Sequence, residues 1–577
     1  MENMTVARVK GESTRQKSVL SNLHTPWNTH PFIFRLPTEM LEDIFIRCAS
    51  DHHYKHDGRP IWAAPSWVNV SYVCHHWRHV ALNCPTLWTY LFITSRRWRE
   101  ALLARSRQAS LKIRGNLLAL PDESRWLKMV ETVMDHVERI QELRLKLPAS
   151  YTTHQILSKL SSRAPRLQNL KIMVADSSSE WPSLLFDGDP PALHTLELSD
   201  CAVPLSSFKL NALTTLALHD VPVRFRQNIE EFLAALGCMQ DLEDLYLYNA
   251  LNSGTGFLSS AVFEYKNKIE LPHLSCLLIS APLSTTVALL SCINFPLDTK
   301  TCLTCGLESS SFSDNYALLC SVLTQRYSVD EDQALSSPTI LSLVIHVTYG
   351  SREVKLTFSE SKIDCMDSVN QLWIPNSLLR INLVLEENDA NRIIGNICCS
   401  MPLSNVQNLL VINPPFSPAF WRRMLGHIQD VRYIKLTSGN MPDLSVLSHT
   451  DLTALENEQN RTGVTGDQGQ DRVLAPRLED LVLECITFLS EGDSDQEEPA
   501  ITRNCLFDAL STRPAQGHLT MTECWMSDSD DGLDLGLVWG ECNVRVVYER
   551  VHSSEEEDSI DLEHDGSDLE HSDDTVY

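Results

Sequence analysis

The sequence has no uninterrupted apolar run approaching about 18 residues, which excludes an ordinary membrane-crossing helix. Its start lacks a charged-then-apolar signal, so a soluble intracellular chain, cytoplasmic or nuclear, is expected. Positive charge is scarce: 48 Lys and Arg face 75 Asp and Glu, for a net charge of −27. A chain this acidic has no broad cationic surface to release counterions from phosphates, so nucleic acid and anionic membrane are not expected partners of the chain as a whole. Cysteine is not organised into a framework. The 17 cysteines are scattered and odd in number, as reduced, buried side chains would be. Cys302 and Cys305 form a lone CxxC, and a closed zinc site needs four ligands, so no metal is expected.

Catalytic signatures are missing too. There is no Gly-rich phosphate loop, no G-x-S-x-G elbow, no H-E-x-x-H and no ring-type cysteine cluster, so neither an enzyme nor a cofactor is expected. An enzyme with an unrecognised site is the weakest of the alternatives.

What the 577 residues do contain is enough apolar material, 43 %, to fill large cores. Residues 1–30 are polar, without periodicity, and read as a disordered leader. From Leu36, the apolar residues Leu41, Ile44, Phe45 and Cys48 recur at i, i+3, i+4, i+7, the stripe of an amphipathic helix. Pro37 suits its first turn, and Glu39, Glu42 and Asp43 complement the positive end of its dipole. The stretch from Arg47 to Pro65 reads as a loop insertion. Its His52, His53 and His56 have no partner at helical spacing and are read as solvated. A second helix is expected over Trp67 to Asn83, with Val70, Val73, Cys74, Trp77, Val80 and Ala81 on one face and Pro85 stopping it.

The run Leu36-Pro37-x-Glu39-x-Leu41-x-x-Ile44-Phe45, followed by Val73-Cys74-x-x-Trp77-Arg78, resembles the F-box. The extension Pro85-Thr86-Leu87-Trp88 is similar to that of F-box proteins of mushroom-forming fungi, and the resemblance covers about the first hundred residues. It departs from the compact module in its Arg47 to Pro65 insertion. The resemblance implies a helical module over 31–95 that docks a Skp-type adaptor, and through it a cullin, by Leu36, Pro37, Leu41, Ile44, Phe45, Val73, Cys74 and Trp77.

Residues 96–135 read as a linking helical segment. Arg96-Arg97-Trp98-Arg99 is read as the cationic face of a helix over Trp98 to Arg107 rather than as a nucleic-acid contact, and it feeds the strand Leu111-Lys112-Ile113. Beyond it a pattern L-x-x-L-x-L, with Ile or Val allowed, begins at Ile140, Leu167, Leu193, Leu213, Leu242, Leu274, Ile340, Leu378, Val406, Val431 and Leu478. Several spacings fall between 20 and 29 residues. That is the period of leucine-rich repeats, which the pattern resembles although the Asn or Cys after each strand is mostly missing, Cys201 being the best match. The resemblance implies an α/β fold: an irregular solenoid of parallel strands over 136–551, with polar insertions near 456–471 and 491–498. The intervals of 66 residues from Leu274 to Ile340 and 47 from Val431 to Leu478 are too long for one unit. A helix is expected at Tyr316 to Leu323, an extra strand at Val354 to Phe358, and a final structured portion at Leu519 to Cys524 and Val544 to Val551.

The x of each L-x-L faces away from the leucine core. Among those positions and their neighbours, Tyr246, Tyr248 and Leu278 form a candidate patch for a protein substrate, unless an insertion or the C-terminal segment covers them. Residues 552–577 carry eleven acidic residues and no Lys or Arg, and read as a disordered tail. That tail is solubilising, or its serines are substrates of acid-directed kinases. The function expected is the substrate-recognition subunit of a Skp–cullin–F-box ubiquitin ligase. The alternative is a leucine-rich-repeat scaffold that binds partners without recruiting the ligase.

Overall fold

The structure is a computed structural model that describes residues 36–54, 66–92, 96–118, 123–148, 151–175, 186–188, 193–201, 205, 208–252, 268–306, 312–327, 339–348, 353–363, 377–385, 390–414, 417–440, 447, 474–487, 510, 517–526 and 541–548. The leader, the polar insertions near 456–471 and 491–498, the acidic tail and His56 lie outside them. The fold is mixed α/β, dominated by mostly parallel strands. The chain forms two compact units, Met1–Asn408 and Leu409–Tyr577.

The first unit opens with helices. Helix α1 (Thr38–Tyr54) runs six residues past Cys48, into the stretch read as a loop insertion. A 3-10 turn (Ser66–Asn69), helix α2 (Val70–Val73) and helix α3 (His75–Asn83) replace the single second helix expected. The break falls at Cys74, whose extended backbone (φ −157°, ψ 172°) starts a new helix, and its thiol accepts the Trp77 N–H at 3.4 Å.

Strands begin earlier than the repeat pattern indicates. Strand β1 (Tyr90–Phe92) lies within the stretch assigned to the helical module. Helix α4 (Arg96–Ser106) then leads to strand β2 (Leu111–Asn116) within the stretch assigned to the link. The two strands pair in parallel, so the sheet starts some fifty residues before 136. Then come helix α5 (Glu123–Met134), strand β3 (Ile140–Leu147), helix α6 (Tyr151–Ser158), and strands β4 (Asn169–Val174), β5 (Thr195–Ser199) and β6 (Thr215–His219). Helix α7 (Ile229–Leu236) and strand β7 (Asp244–Tyr248) follow.

Each strand from β2 to β7 pairs in parallel with the next. The register explains the leucine pattern. Leu143, Leu170, Leu196, Leu216 and Leu245 form one lateral row, and Leu145, Ile172, Leu198, Leu218 and Leu247 form another two residues on. All ten are buried. At about 2 kcal/mol for each fully buried aliphatic side chain, these rows are a main source of cohesion. Parallel strands need a crossover, and α7 supplies one by burying Ile229, Phe232, Leu233 and Leu236 at i, i+3, i+4, i+7. Its N-cap is Asn228, whose side chain accepts from the backbone N–H of Glu230 at 2.6 Å and of Glu231 at 3.4 Å. Asn228→Ala is expected to lower unfolding free energy by about 1 kcal/mol, read as an earlier urea midpoint at unchanged slope.

The backbone after β5, β6 and β7 turns through left-handed Asp200, Asp220 and Asn249 (φ 56°, 49° and 45°). The N–H of Asp200 donates to His219 C=O, that of Asp220 to Tyr248 C=O and that of Asn249 to Ser280 C=O, at 2.8–2.9 Å. Asp and Asn tolerate this conformation because a short polar side chain can bond locally. Asn249 donates its side-chain amide to Asp220 at 2.9 Å. This ladder stands one residue before the position where the repeat pattern asks for Asn or Cys.

Next come the short strand β8 (Ile269–Glu270), strand β9 (Cys276–Pro282), helix α8 (Leu283–Cys292), the short strand β10 (Ile293–Asn294), strand β11 (Lys300–Gly306) and helix α9 (Phe312–Tyr327). Strand β9 pairs in parallel with both β7 and β11, while β8 and β10 pair with each other. Strand β11 fills the long interval after Leu274, and its Thr-Cys-Leu-Thr-Cys sequence lacks the leucine alternation that would reveal it. Cys302 and Cys305, three positions apart on this strand, face opposite sides of the sheet. Both are buried, and the Cys305 thiol donates to the Thr286 hydroxyl at 3.8 Å.

Strand direction then changes. Strands β12 (Ser342–Thr348), β13 (Glu353–Ser359) and β14 (Ser377–Val384) form an antiparallel meander, and it is β14 that pairs in parallel with β11. The expectation of parallel strands throughout is corrected here. The interval from Thr348 to Glu353 is too short for a crossover, so the chain must return antiparallel. Helix α10 (Ala390–Cys399) follows. Helix α8 packs against α7 and α9, and α9 also packs against α10.

The second unit contains strand β15 (Asn408–Ile412, its first residue in the preceding unit), helix α11 (Pro418–His427), and strands β16 (Tyr433–Asn440), β17 (Asp480–Thr487), β18 (His518–Met526) and β19 (Glu541–Tyr548). Strands β16 to β19 pair successively in parallel, and Ile434, Leu436, Leu481, Leu483, Leu519 and Met521 are buried. Ser417 caps α11, with Pro418 in its first turn and Trp421 fully buried.

Candidate partner-docking sites

Helix α1 carries two apolar stripes. Leu41, Phe45 and Ala49, at i, i+4, i+8, are 0–2 % exposed, and the helix packs on α3 and the 3-10 turn before α2. One position earlier, Met40, Ile44 and Cys48 lie on the exposed side. A helix presenting an apolar stripe to water beside the one it buries has more apolar surface than its own neighbours cover. On α2, Tyr72 is 69 % and Val73 58 % exposed. Tyr72 lines a cleft of about 310 Å³ with Val68, Leu82, Trp98 and Arg105, and the Arg78 guanidinium sits 5.9 Å from its ring centroid.

The residues singled out from sequence therefore separate. Pro37, Ile44 and Val73 are exposed, while Leu36, Cys74 and Trp77 are half-buried. Leu41 and Phe45 are corrected from contact residues to core. Phe45 lies 5.1 Å from Trp77, ring centre to ring centre, which locks α1 to α3. The helical stripe in the sequence cannot distinguish the two sets, because Leu41 and Ile44 sit only three positions apart. Met40 and Tyr72 are new members. Met40 was legible at four residues before Ile44, whereas Tyr72 was not, because the break at Cys74 reorients α2.

Trp88 anchors this module. It is fully buried, its indole N–H donates to Ala81 C=O at 2.7 Å, Trp67 meets it edge-on at 5.1 Å, and the Arg105 guanidinium lies 4.3 Å from its ring centre.

The second candidate surface is the side of the first unit's strands opposite the leucine rows. Lateral register places Arg114, Arg144, Lys171, Glu197, Ala217, Tyr246 and Leu278 in line, with Lys146, Met173, Ser199, His219, Tyr248 and Ser280 beside them. Tyr246 and Tyr248 are half-buried, but Leu278 is 1 % exposed and is corrected from the patch. Cys302, Arg380, Thr357 and Val344, farther along on the same side, are buried as well. The row through Leu278 is therefore enclosed from β9 onward, while Ser280, Thr304, Asn382, Lys355 and His346 beside it stay half-buried.

Its middle is a connected polar chain. Lys171 pairs with Glu197, His219 Nε2 lies 4.0 Å from Glu197 Oε1, and the His219 ring stacks on Tyr248 at 4.7 Å. Burial pushes the Tyr246 phenol well above its usual range, reinforced by a hydrogen bond with the Cys276 thiol. Burial also lowers the His219 pKa; Glu197 opposes this and Lys171 adds to it. A histidine depressed in the folded state favours unfolding once the unfolded chain takes up a proton, so stability falls as pH drops through the ordinary imidazole range near 6.5. The melting temperature is expected to decline between pH 7.5 and 5.5, and His219→Gln to flatten that decline. An unchanged slope in the variant would exclude His219 as its source.

No protein-family model matches the chain, and no curated protein matches its sequence. Among the described residues, no group of three or more His, Cys, Asp and Glu side chains is arranged to hold a metal, and no helix is long and apolar enough to cross a membrane.

Proposed function

We propose that the chain is an F-box protein with a leucine-rich-repeat-like solenoid, serving as the substrate-recognition subunit of a Skp–cullin–F-box ubiquitin ligase. The reading rests on one observation above others: the sequence that resembles an F-box presents Met40, Ile44, Tyr72 and Val73 to solvent while Leu41 and Phe45 hold its helices together. Uncovered apolar groups on so small a module favour a partner surface. The strand ladder supplies the second half, an accessible polar and aromatic face able to hold a protein substrate. In this role the chain performs no bond chemistry. It raises the effective concentration of a target lysine near a charged conjugating enzyme.

The experiment is co-purification of the full chain with a Skp-type adaptor. Capture under conditions where established F-box proteins bind supports the reading. A folded chain that fails to capture the adaptor is instead a scaffold that binds partners without ligase recruitment.

A further inference from the structure

The accessible end of the strand face carries a charge opposite to that of the molecule. Lys112 and Arg114 on β2, Arg144 and Lys146 on β3 and Lys171 on β4 share one side of the sheet, as do the carboxylates Glu142 on β3 and Glu197 on β5. Across β2 to β5 five cations therefore face two carboxylates, with Asp244 a third farther along on β7, in a chain whose net charge is −27. Lys146 is exposed, and the Arg144 and Lys171 side chains are 41 % and 39 % exposed. Local sign decides here, because charges beyond about 8–10 Å are screened at physiological salt.

We infer that this surface binds an extended, carboxylate-rich peptide segment of a partner protein. Arg114, Arg144 and Lys171 lie in lateral register on adjacent strands, which at about 4.8 Å per strand makes a row roughly 10 Å long. Side chains on one face of an extended peptide repeat at about 6.8 Å, so two or three acidic side chains span the row. The internal pairing argues for distributed carboxylates over a phosphate pocket. Arg114 and Arg144 both turn onto Glu142, at 3.1 and 2.7 Å, and so do not converge on an outside point. Tyr246 and Tyr248, half-buried farther along the face, offer aromatic contact beyond the cations. The inference names the substrate class for the proposed recognition subunit and rests on that reading only for what becomes of the bound protein.

The test is fluorescence anisotropy of the full chain at physiological salt, about 0.15 M, with labelled deca-glutamate, deca-glutamine and a phosphoserine–glycine peptide of matched charge. Deca-glutamate is expected to bind and deca-glutamine not. Lys146→Ala with Lys171→Ala, both at accessible positions, should weaken deca-glutamate binding about tenfold. Glu197→Gln, which releases Lys171, should strengthen it two- to threefold, a gain that damaged folding does not produce. Equal binding of deca-glutamine, indifference to these substitutions, or binding of the phosphoserine peptide alone would overturn the assignment. Adaptor co-purification on the same variants should be unaltered. Loss of peptide binding with adaptor capture intact, or the reverse, tells which of the two readings has failed.

Discussion

Replacing Ile44 and Val73 together with Asp is expected to abolish capture of a Skp-type adaptor, by a hundredfold or more, while the chain stays folded. Both side chains lie on the outside of the N-terminal helices, 36 % and 58 % exposed, so a carboxylate at either site remains hydrated in the free protein. Surface substitutions of this kind typically move stability by about 0.5 kcal/mol. In a complex the same carboxylates would be pressed into an apolar contact without partners, at a cost of several kcal/mol together. Adaptor capture and a thermal melt on one preparation check both halves. Retained capture in the folded double variant would remove this surface from the docking role. Leu41→Asp is the wrong probe, because Leu41 is 0 % exposed and a charge there breaks the α1 packing itself.

The second large effect is structural. Trp88→Ala is expected to destabilise the first unit by about 3–5 kcal/mol, since it empties a fully enclosed indole site and leaves the Ala81 carbonyl without its donor. The effect should appear as faster amide exchange in α3, α4 and β1, the elements around the indole. Trp88→Phe should recover part of the loss by refilling volume but not the hydrogen bond. Exchange in Trp88→Ala indistinguishable from the parent chain would show that the ring is not the anchor. Because α1 packs on the helices this ring supports, adaptor capture should fall with it, whereas the Ile44 and Val73 variant loses capture alone.

How much of this was legible depends on which interactions are local. The L-x-x-L-x-L windows mark β3 to β7 well, because alternation with period two places Leu170 and Ile172, or Leu196 and Leu198, on one face whatever lies around them. Strand β11 was invisible for the same reason: Thr301, Cys302, Thr304 and Cys305 stand where leucines would signal. The meander of β12, β13 and β14 was half legible. Val354 to Phe358 alternates as a strand should, but which neighbour it pairs with, and in which direction, is a non-local matter. At the candidate docking surfaces the helical stripe from Leu41 to Cys48 was clear, yet it joined Leu41 and Phe45 with Ile44 as though they faced the same way.

By itself the sequence determined the acidic balance, the amphipathic N-terminal helices, and the inward leucines of the parallel strands, since composition and short-range periodicity are properties of neighbouring residues. Only the tertiary structure decided that Leu41 and Leu278 are enclosed while Ile44 and Val73 are open, and that the cations of β2, β3 and β4 align. Periodicity states which side chains share a face. Whether that face meets water or protein is set by packing from distant parts of the chain, and two residues 30 positions apart become neighbours only through strand register.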